Sequence, residues 1–207
     1  MKISYAITIC NELEEIKCLL PILRKHKRPE DEICVLWDKP KASQELMYQL
    51  YMWSSKDYII LKESEFKGHF SDWKNELTQM CSGDYIFQID ADEYPHPEFI
   101  ENLPAVLEHN TAVELYAVPR VNTVEGLTQE HIQKWGWNVN EKGWVNWPDF
   151  QTRIYKNTPE IKWENKVHER LKGHKEFAFL PIEEEWSLYH IKTIERQEKQ
   201  NNYYDTL

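Results

Sequence analysis

From Lys2 to Asp90 the chain repeats one pattern, a short apolar run that ends in a polar residue and gives way to apolar residues at helical spacing, and this repetition restricts the fold more than any other feature. Lys2 to Ile9 is apolar and β-branched and meets Asn11-Glu12, after which Leu13, Ile16, Leu19, Leu20 and Leu23 recur on one helical face. Glu32 to Trp37 ends at Asp38 and precedes Ser43 to Trp53, where Leu46, Met47, Leu50 and Trp53 form a stripe. Tyr58 to Leu61 reads as a third strand. Beyond Lys67-Gly68-His69, the residues Phe70, Trp73, Leu77, Met80 and Cys81 define a helix with Gly83 as its expected C-cap. Asp84 to Asp90 is a fourth strand, apolar until it reaches an acidic cluster. Strand and helix in alternation predict an α/β chain with a Rossmann-like, mostly parallel sheet flanked by helices. Such sheets bind ligands beyond the carboxyl ends of their strands, so Asn11, Asp38 and Asp90 are expected on one rim.

After residue 95 the pattern changes. Pro97 to Leu107 predicts a helix and Ala112 to Val118 a strand, whereas Arg120 to Trp147 is dense in Trp, Asn and Gly without a period and reads as a ligand-covering region. Phe150 to Tyr155, Ile161 to Trp163, Phe177 to Leu180 and Trp186 to Ile191 are short strand candidates, and Lys192 to Tyr203 a polar helical tail. A length of 207 residues suits one domain, with 96–207 an elaboration on 1–95.

The formal net charge of −10 repels nucleic acid and anionic lipid, so a nucleic-acid acceptor would need a local basic patch. Cys10, Cys18, Cys34 and Cys81 show no CxxC spacing and sit in apolar or helical contexts, which predicts buried, reduced thiols and a cytoplasmic setting. With no apolar run near eighteen residues and no signal-peptide pattern, the chain is expected neither to be secreted nor to span a membrane by itself. Nine Trp and eleven Tyr suit a core and also suit sugar, whose apolar face stacks on a ring while its hydroxyls take hydrogen bonds.

Asp90-Ala91-Asp92-Glu93 is the most informative stretch. Two carboxylates two residues apart at a strand end can share a hard divalent cation, Mn2+ or Mg2+, which in turn holds the phosphates of a nucleotide. An acidic turn that caps a helix has the same composition, so the triplet needs company.

The company is a resemblance to family 2 glycosyltransferases, which have the GT-A fold. It runs from residue 3 to about 190. It begins at Ile7-Thr8-Ile9-Cys10-Asn11-Glu12, continues at Val35-Leu36-Trp37-Asp38, and includes Phe70 to Asn75 followed by Gly83 to Glu93 in matching order and spacing. Asp149 to Asn157, Trp163 and Val167-His168-Glu169 look like the later block of the subgroup resembling lipopolysaccharide core glucosyltransferases. Where relatives have an acidic pair after the second strand, this chain has Trp37-Asp38-Lys39.

The resemblance implies a nucleotide-sugar-binding half, 1–95, and an acceptor-side half, 96–207. It implies an inverting enzyme that moves a sugar from a nucleoside-diphosphate donor, a UDP-sugar being favoured, to a saccharide or other hydroxyl acceptor. Thr8, Asn11, Glu12, Asp38, Asn75, Asp90 and Ala91 would face the donor; Asp92 would bind the metal, with Asp90 on the ribose or reaching the ion through water. His190 would be a third ligand, or else a core histidine. Inversion needs a base opposite the leaving group, and Asp149 and Glu169 both qualify. Arg153 reads either as a diphosphate clamp or as a strand-edge ion pair, and Lys67 and Lys74 either as phosphate contacts or as solvated lysines. Trp135, Trp137, Trp144 and Trp147 would form an acceptor groove or pack inside. A nucleotidyltransferase uses a similar sheet but opens with a Gly-rich loop where this chain has Cys10-Asn11-Glu12-Leu13; a non-catalytic carbohydrate- or nucleotide-binding module is the other alternative.

Overall fold

The computed structural model describes residues 1–204, with side chains described for all of these except 200 and 202–204. Strands β1 (Ile3–Ile9), β2 (Glu32–Asp38), β3 (Ile60–Ser64) and β4 (Tyr85–Asp90) alternate with helices α1 (Leu13–His26), α2 (Gln44–Ser54) and α3 (Phe70–Met80). There follow β5 (Glu93–Pro95), α4 (Pro97–His109), β6 (Leu115–Val118), β7 (Arg120–Glu125), α5 (Gln129–Trp135), β8 (Gln151–Lys156), β9 (Lys162–Glu164), β10 (Arg170–Lys172), β11 (Phe177–Phe179), β12 (Leu188–Thr193) and α6 (Ile194–Tyr204). A seven-stranded sheet has the order β11-β6-β8-β4-β1-β2-β3, in which β1 to β4 pair in parallel and β8 runs antiparallel to β4 and β6.

Both faces of this sheet are covered, which explains why its central strands read as continuous apolar runs rather than alternating ones. On one face Ile3, Tyr5, Ile7, Phe87 and Ile89 pack with Ile16, Leu19, Leu20 and Leu23 of α1, Leu46 and Leu50 of α2, and Phe99 and Leu103 of α4. Each such aliphatic side chain contributes about 2 kcal/mol by leaving water. On the other face Ala6, Cys34 and Ile86 meet Trp73 and Leu77 of α3, together with Trp163 and Leu171 from the antiparallel pair β9–β10.

Several expectations shift. The third strand lies two residues later than its apolar signal, because pairing with β2 runs from Cys34↔Ile60 to Asp38↔Ser64 and carries the polar Lys62-Glu63-Ser64 into an edge strand with little burial. Gly83 does not cap α3, which ends at Cys81 in extended conformation. Its smallness serves close approach instead: a Cβ there would lie 2.7 Å from the Ser4 backbone nitrogen. The aperiodic stretch from Arg120 contains β7 and α5, and the last residue of the acidic cluster, Glu93, opens β5. Cys18 is exposed, while Cys34 and Cys81 are buried; all four cysteines are free thiols. Among the described residues, no helix is long and apolar enough to cross a membrane.

A second, three-stranded sheet of order β5-β12-β7 sits beside the end of β4. Its register places Asn122, His190 and Glu93 in one row, since His190 pairs with Asn122 on one side and with Glu93 on the other. This row brings a residue about a hundred positions downstream to the acidic cluster.

Candidate active site

Beyond the carboxyl ends of β1, β2 and β4 lies a cavity of about 660 Å³. Of the residues singled out above, Thr8, Glu12, Asp38, Lys74, Asp90, Ala91, Asp92, Arg153, Glu169 and His190 line it. Four do not. The Asn11 side chain accepts a 2.9 Å bond from the Ser43 backbone and so braces the start of α2. Lys67 is exposed on the loop before α3. Asn75 exchanges two 2.9 Å bonds with the Trp163 backbone, which clamps β9 to α3 on the far side of the helix from the cavity. Asp149 is held by Arg120, Asn122 and Gln151 just behind the wall.

Electrostatics organise the floor. Glu93 is fully buried, and its two oxygens accept from Arg120 at 2.9 Å, from Arg153 at 2.6 and 3.0 Å, and from the Asp90 backbone nitrogen at 3.2 Å. Arg153 reaches on to Asp90 at 2.6 Å, so of its two anticipated roles the ion pair is the one present. Burial raises the Asp90 carboxyl, but the charge of Arg153, then those of Lys74 and Arg120, outweigh it and hold the group well below the usual range.

Asp92 faces His190, with Nε2 to Oδ2 at 3.2 Å, and Arg196 at 3.1 Å. Burial acts to raise Asp92, yet the His190 bond and charge leave it lowered. Among the described residues no three His, Cys, Asp or Glu side chains gather as a ready-made metal cage, because Asp90 turns to Arg153. Asp92 and His190 thus converge at the cavity as two groups able to ligate a cation, with the Arg196 guanidinium alongside them. Hard divalent ions of the Mg2+ type are often held by one or two protein groups with the remaining positions taken by substrate phosphate and water, so this pair fits such an ion.

Across the cavity Glu169 bonds the Lys74 ammonium at 2.5 Å, and that ammonium lies 4.5 Å over the Trp163 ring. Asp38 is nearly inaccessible and accepts from the Phe66 backbone at 3.2 Å. Glu12 folds back on its own turn, accepting from the backbone of Cys10 at 2.7 Å and of Asn11 at 3.0 Å. Burial raises its carboxyl in spite of those bonds.

Sequence reasoning missed four cations in the lining, Lys41, Arg120, Lys192 and Arg196. Lys192 follows His190 at the strand period of two, a signal that was open to use. Arg196 lies in a polar helix with nothing to mark it. Burial pushes Lys192 down to about 8, against the pull of Asp92 and with the repulsion of Arg120 and Arg196. The tryptophans Trp135, Trp137, Trp144 and Trp147 line neither cavity nor core; they form half-exposed pairs, with ring centroids 4.6 Å apart for Trp135–Trp137 and 4.9 Å for Trp144–Trp147.

The family model described as glycosyl transferase family 2 matches residues 4–170, most of the chain. The chain belongs to that family. Among solved structures, S. aureus TarS superposes with a TM-score of 0.62 at 15% identity, over 92% of this chain and 37% of that one. TarS 1-349 in complex with UDP gives 0.59 at 16% identity, and the same piece with UDP-GlcNAc 0.57 at 16%, each pairing more than nine tenths of this chain with about 60% of the other. At such identity the likeness concerns the fold, a GT-A glycosyltransferase arrangement, and this chain spans only part of TarS. No curated protein matches the chain in sequence.

Proposed function

We propose that the protein is an inverting glycosyltransferase that uses a UDP-sugar and is assisted by a divalent cation, Mn2+ or Mg2+, held by Asp92 and His190. The observation that carries this reading is one cavity at the sheet rim in which a cation-binding pair, a cluster of Lys and Arg, and the carboxylate of Glu169 face the same space. The TarS complexes with UDP and UDP-GlcNAc support a uridine-nucleotide donor. An imidazole among the ligands favours a first-row transition ion, and so Mn2+ over Mg2+.

The cation would supply Lewis-acid stabilisation of the departing diphosphate. Arg196 and Lys192, beside Asp92, carry the remaining charge, the guanidinium fork of Arg196 matching phosphate oxygens. The acceptor hydroxyl attacks the anomeric carbon, the bond from that carbon to the β-phosphate oxygen breaks, UDP leaves, and the hydroxyl proton passes to Glu169. Glu169 takes this role ahead of Asp149 because it faces the cavity, whereas Asp149 is saturated by Arg120, Asn122 and Gln151. Lys74 holds the Glu169 carboxylate in place. A saccharide is the expected acceptor, the net charge of −10 opposing a nucleic acid, and the free thiols suit a cytoplasmic setting.

Thermal-shift screening across nucleotide sugars, with and without Mn2+ or Mg2+, tests the reading. UDP-sugars with metal should stabilise the protein most. Absence of stabilisation by every nucleoside diphosphate would remove the donor.

A further inference from the structure

Asp149 does not touch the cavity, yet its Oδ2 collects three donors from residues around it: Arg120 Nε at 3.0 Å, Arg120 Nη2 at 2.6 Å and Asn122 Nδ2 at 2.8 Å. A carboxylate only accepts hydrogen bonds, so Asn122 must turn its NH2 to Asp149 and its carbonyl oxygen away. That oxygen lies 2.9 Å from His190 Nδ1. An amide oxygen also only accepts, so Nδ1 carries the ring hydrogen and donates it. In the neutral ring Nε2 then holds a lone pair, and Nε2 is the atom that faces Asp92 Oδ2 at 3.2 Å. That contact is attractive when Nε2 also carries a proton, and in the neutral ring two acceptors face each other and leave a place that a metal cation can fill.

We infer that Asp149 and Asn122 are positioning residues that lock His190 in the Nδ1–H tautomer, so that its Nε2 lone pair and the Asp92 carboxylate are presented together to a divalent cation. The inference rests on the metal reading above. It also gives Asp149 a purpose other than that of base. The backbone prepares the lock, because Asn122 and His190 are register partners on β7 and β12 and their side chains leave the same face of the small sheet. Outer partners of this kind orient a metal-binding imidazole and raise its basicity, and their loss typically weakens metal binding about 10–100-fold.

Two measurements test it without recourse to turnover. Long-range 1H–15N correlation at alkaline pH, with His190 assigned by comparison with H190Q, should show the Nδ1–H tautomer in the protein alone, the opposite of the form that neutral histidine favours in water; an Nε2–H signal overturns the inference. Mn2+ uptake in the presence of UDP, read from the free-manganese EPR signal, should weaken about 10–100-fold in N122L and D149L. D149N should retain both the tautomer and the affinity, since an amide oxygen can occupy the position of Oδ2. Where N122L does not fold, N122A gives the same two readouts. If N122L binds Mn2+ as the wild type does, the lock is refuted and the metal reading stands. If the wild type takes up no Mn2+ with UDP, the metal reading itself falls and takes the lock's purpose with it.

Discussion

Glu93→Gln should be the most revealing single change outside the cavity. The side chain keeps its shape but loses its charge, and one of its two acceptor oxygens becomes an NH2 group. Each oxygen now serves two donors: one takes Arg120 at 2.9 Å and Arg153 at 2.6 Å, the other takes Arg153 at 3.0 Å and the Asp90 nitrogen at 3.2 Å. Neither amide orientation satisfies both pairs, so donor faces donor, and two arginines, Arg153 nearly inaccessible, lose the anion they share. Breaking a buried ion pair by removing one partner costs about 3–5 kcal/mol, and with the pairs to Asp90 and Asp149 remaining the expected loss is about 4 kcal/mol. At roughly 2–4 °C per kcal/mol for a chain of this size, Tm should fall by about 8–16 °C. Circular-dichroism melts and urea titrations with an unchanged m-value measure this. Because Glu93 also holds the Asp90 nitrogen, UDP affinity should fall together with stability. In a double-mutant cycle with R120M, the two losses should couple by about 1–3 kcal/mol. A loss in E93Q below about 1 kcal/mol would refute the claim that this carboxylate pins the acidic turn to β8.

Three further outcomes follow. D92N should keep the wild-type melting temperature within a few degrees but lose Mn2+-dependent UDP binding; metal-dependent stabilisation that persists in a thermal-shift titration would reject its ligand role. E169Q should lower kcat about 10²–10⁴-fold while UDP affinity stays intact, and full activity would reject it as base. Glu32 concerns acid stability: burial would raise its carboxyl, but bonds from Lys2, Ser4 and Ser82 pull it down from its ordinary value of 4.5 to about 2. A group depressed in the folded state stabilises above its unfolded value, and the contribution fades as pH falls from 4.5 towards 2. E32Q should therefore lose about 2 kcal/mol at neutral pH, after discounting for solvent screening at the sheet end, with the deficit vanishing towards pH 2 in urea titrations.

The first half of the fold was legible because β1, β2 and β4 are buried on both faces and α1 to α3 each bury one stripe, so local composition and tertiary environment agree. β3 escaped exact placement because an edge strand draws its register from its neighbour and needs no apolar pattern of its own. β5, β7 and β10 escaped recognition for a related reason: they are short, and pairing with distant strands stabilises them. In the site, Asp38 and Asp90 at the ends of β2 and β4 were recognisable from topology alone. Asn75 and Asp149 were placed in the cavity by motif and Asn11 by its strand end as well, but an amide or carboxylate beside a binding site serves equally well to hold backbone or arginine, and only coordinates separate the two uses. Lys192 and Arg196 stayed hidden because a lysine or arginine in a polar segment normally meets solvent.

The row Asn122, His190, Glu93 joins strands that lie far apart along the chain, and β12 is the middle member. Until that strand is in place, β5 and β7 have no common partner, His190 is not opposite Asp92, and the arginines of the floor lack one wall. One strand thus couples the two sides of the rim, and a change that loosens β12 would withdraw His190 from Asp92 and from Asn122 together.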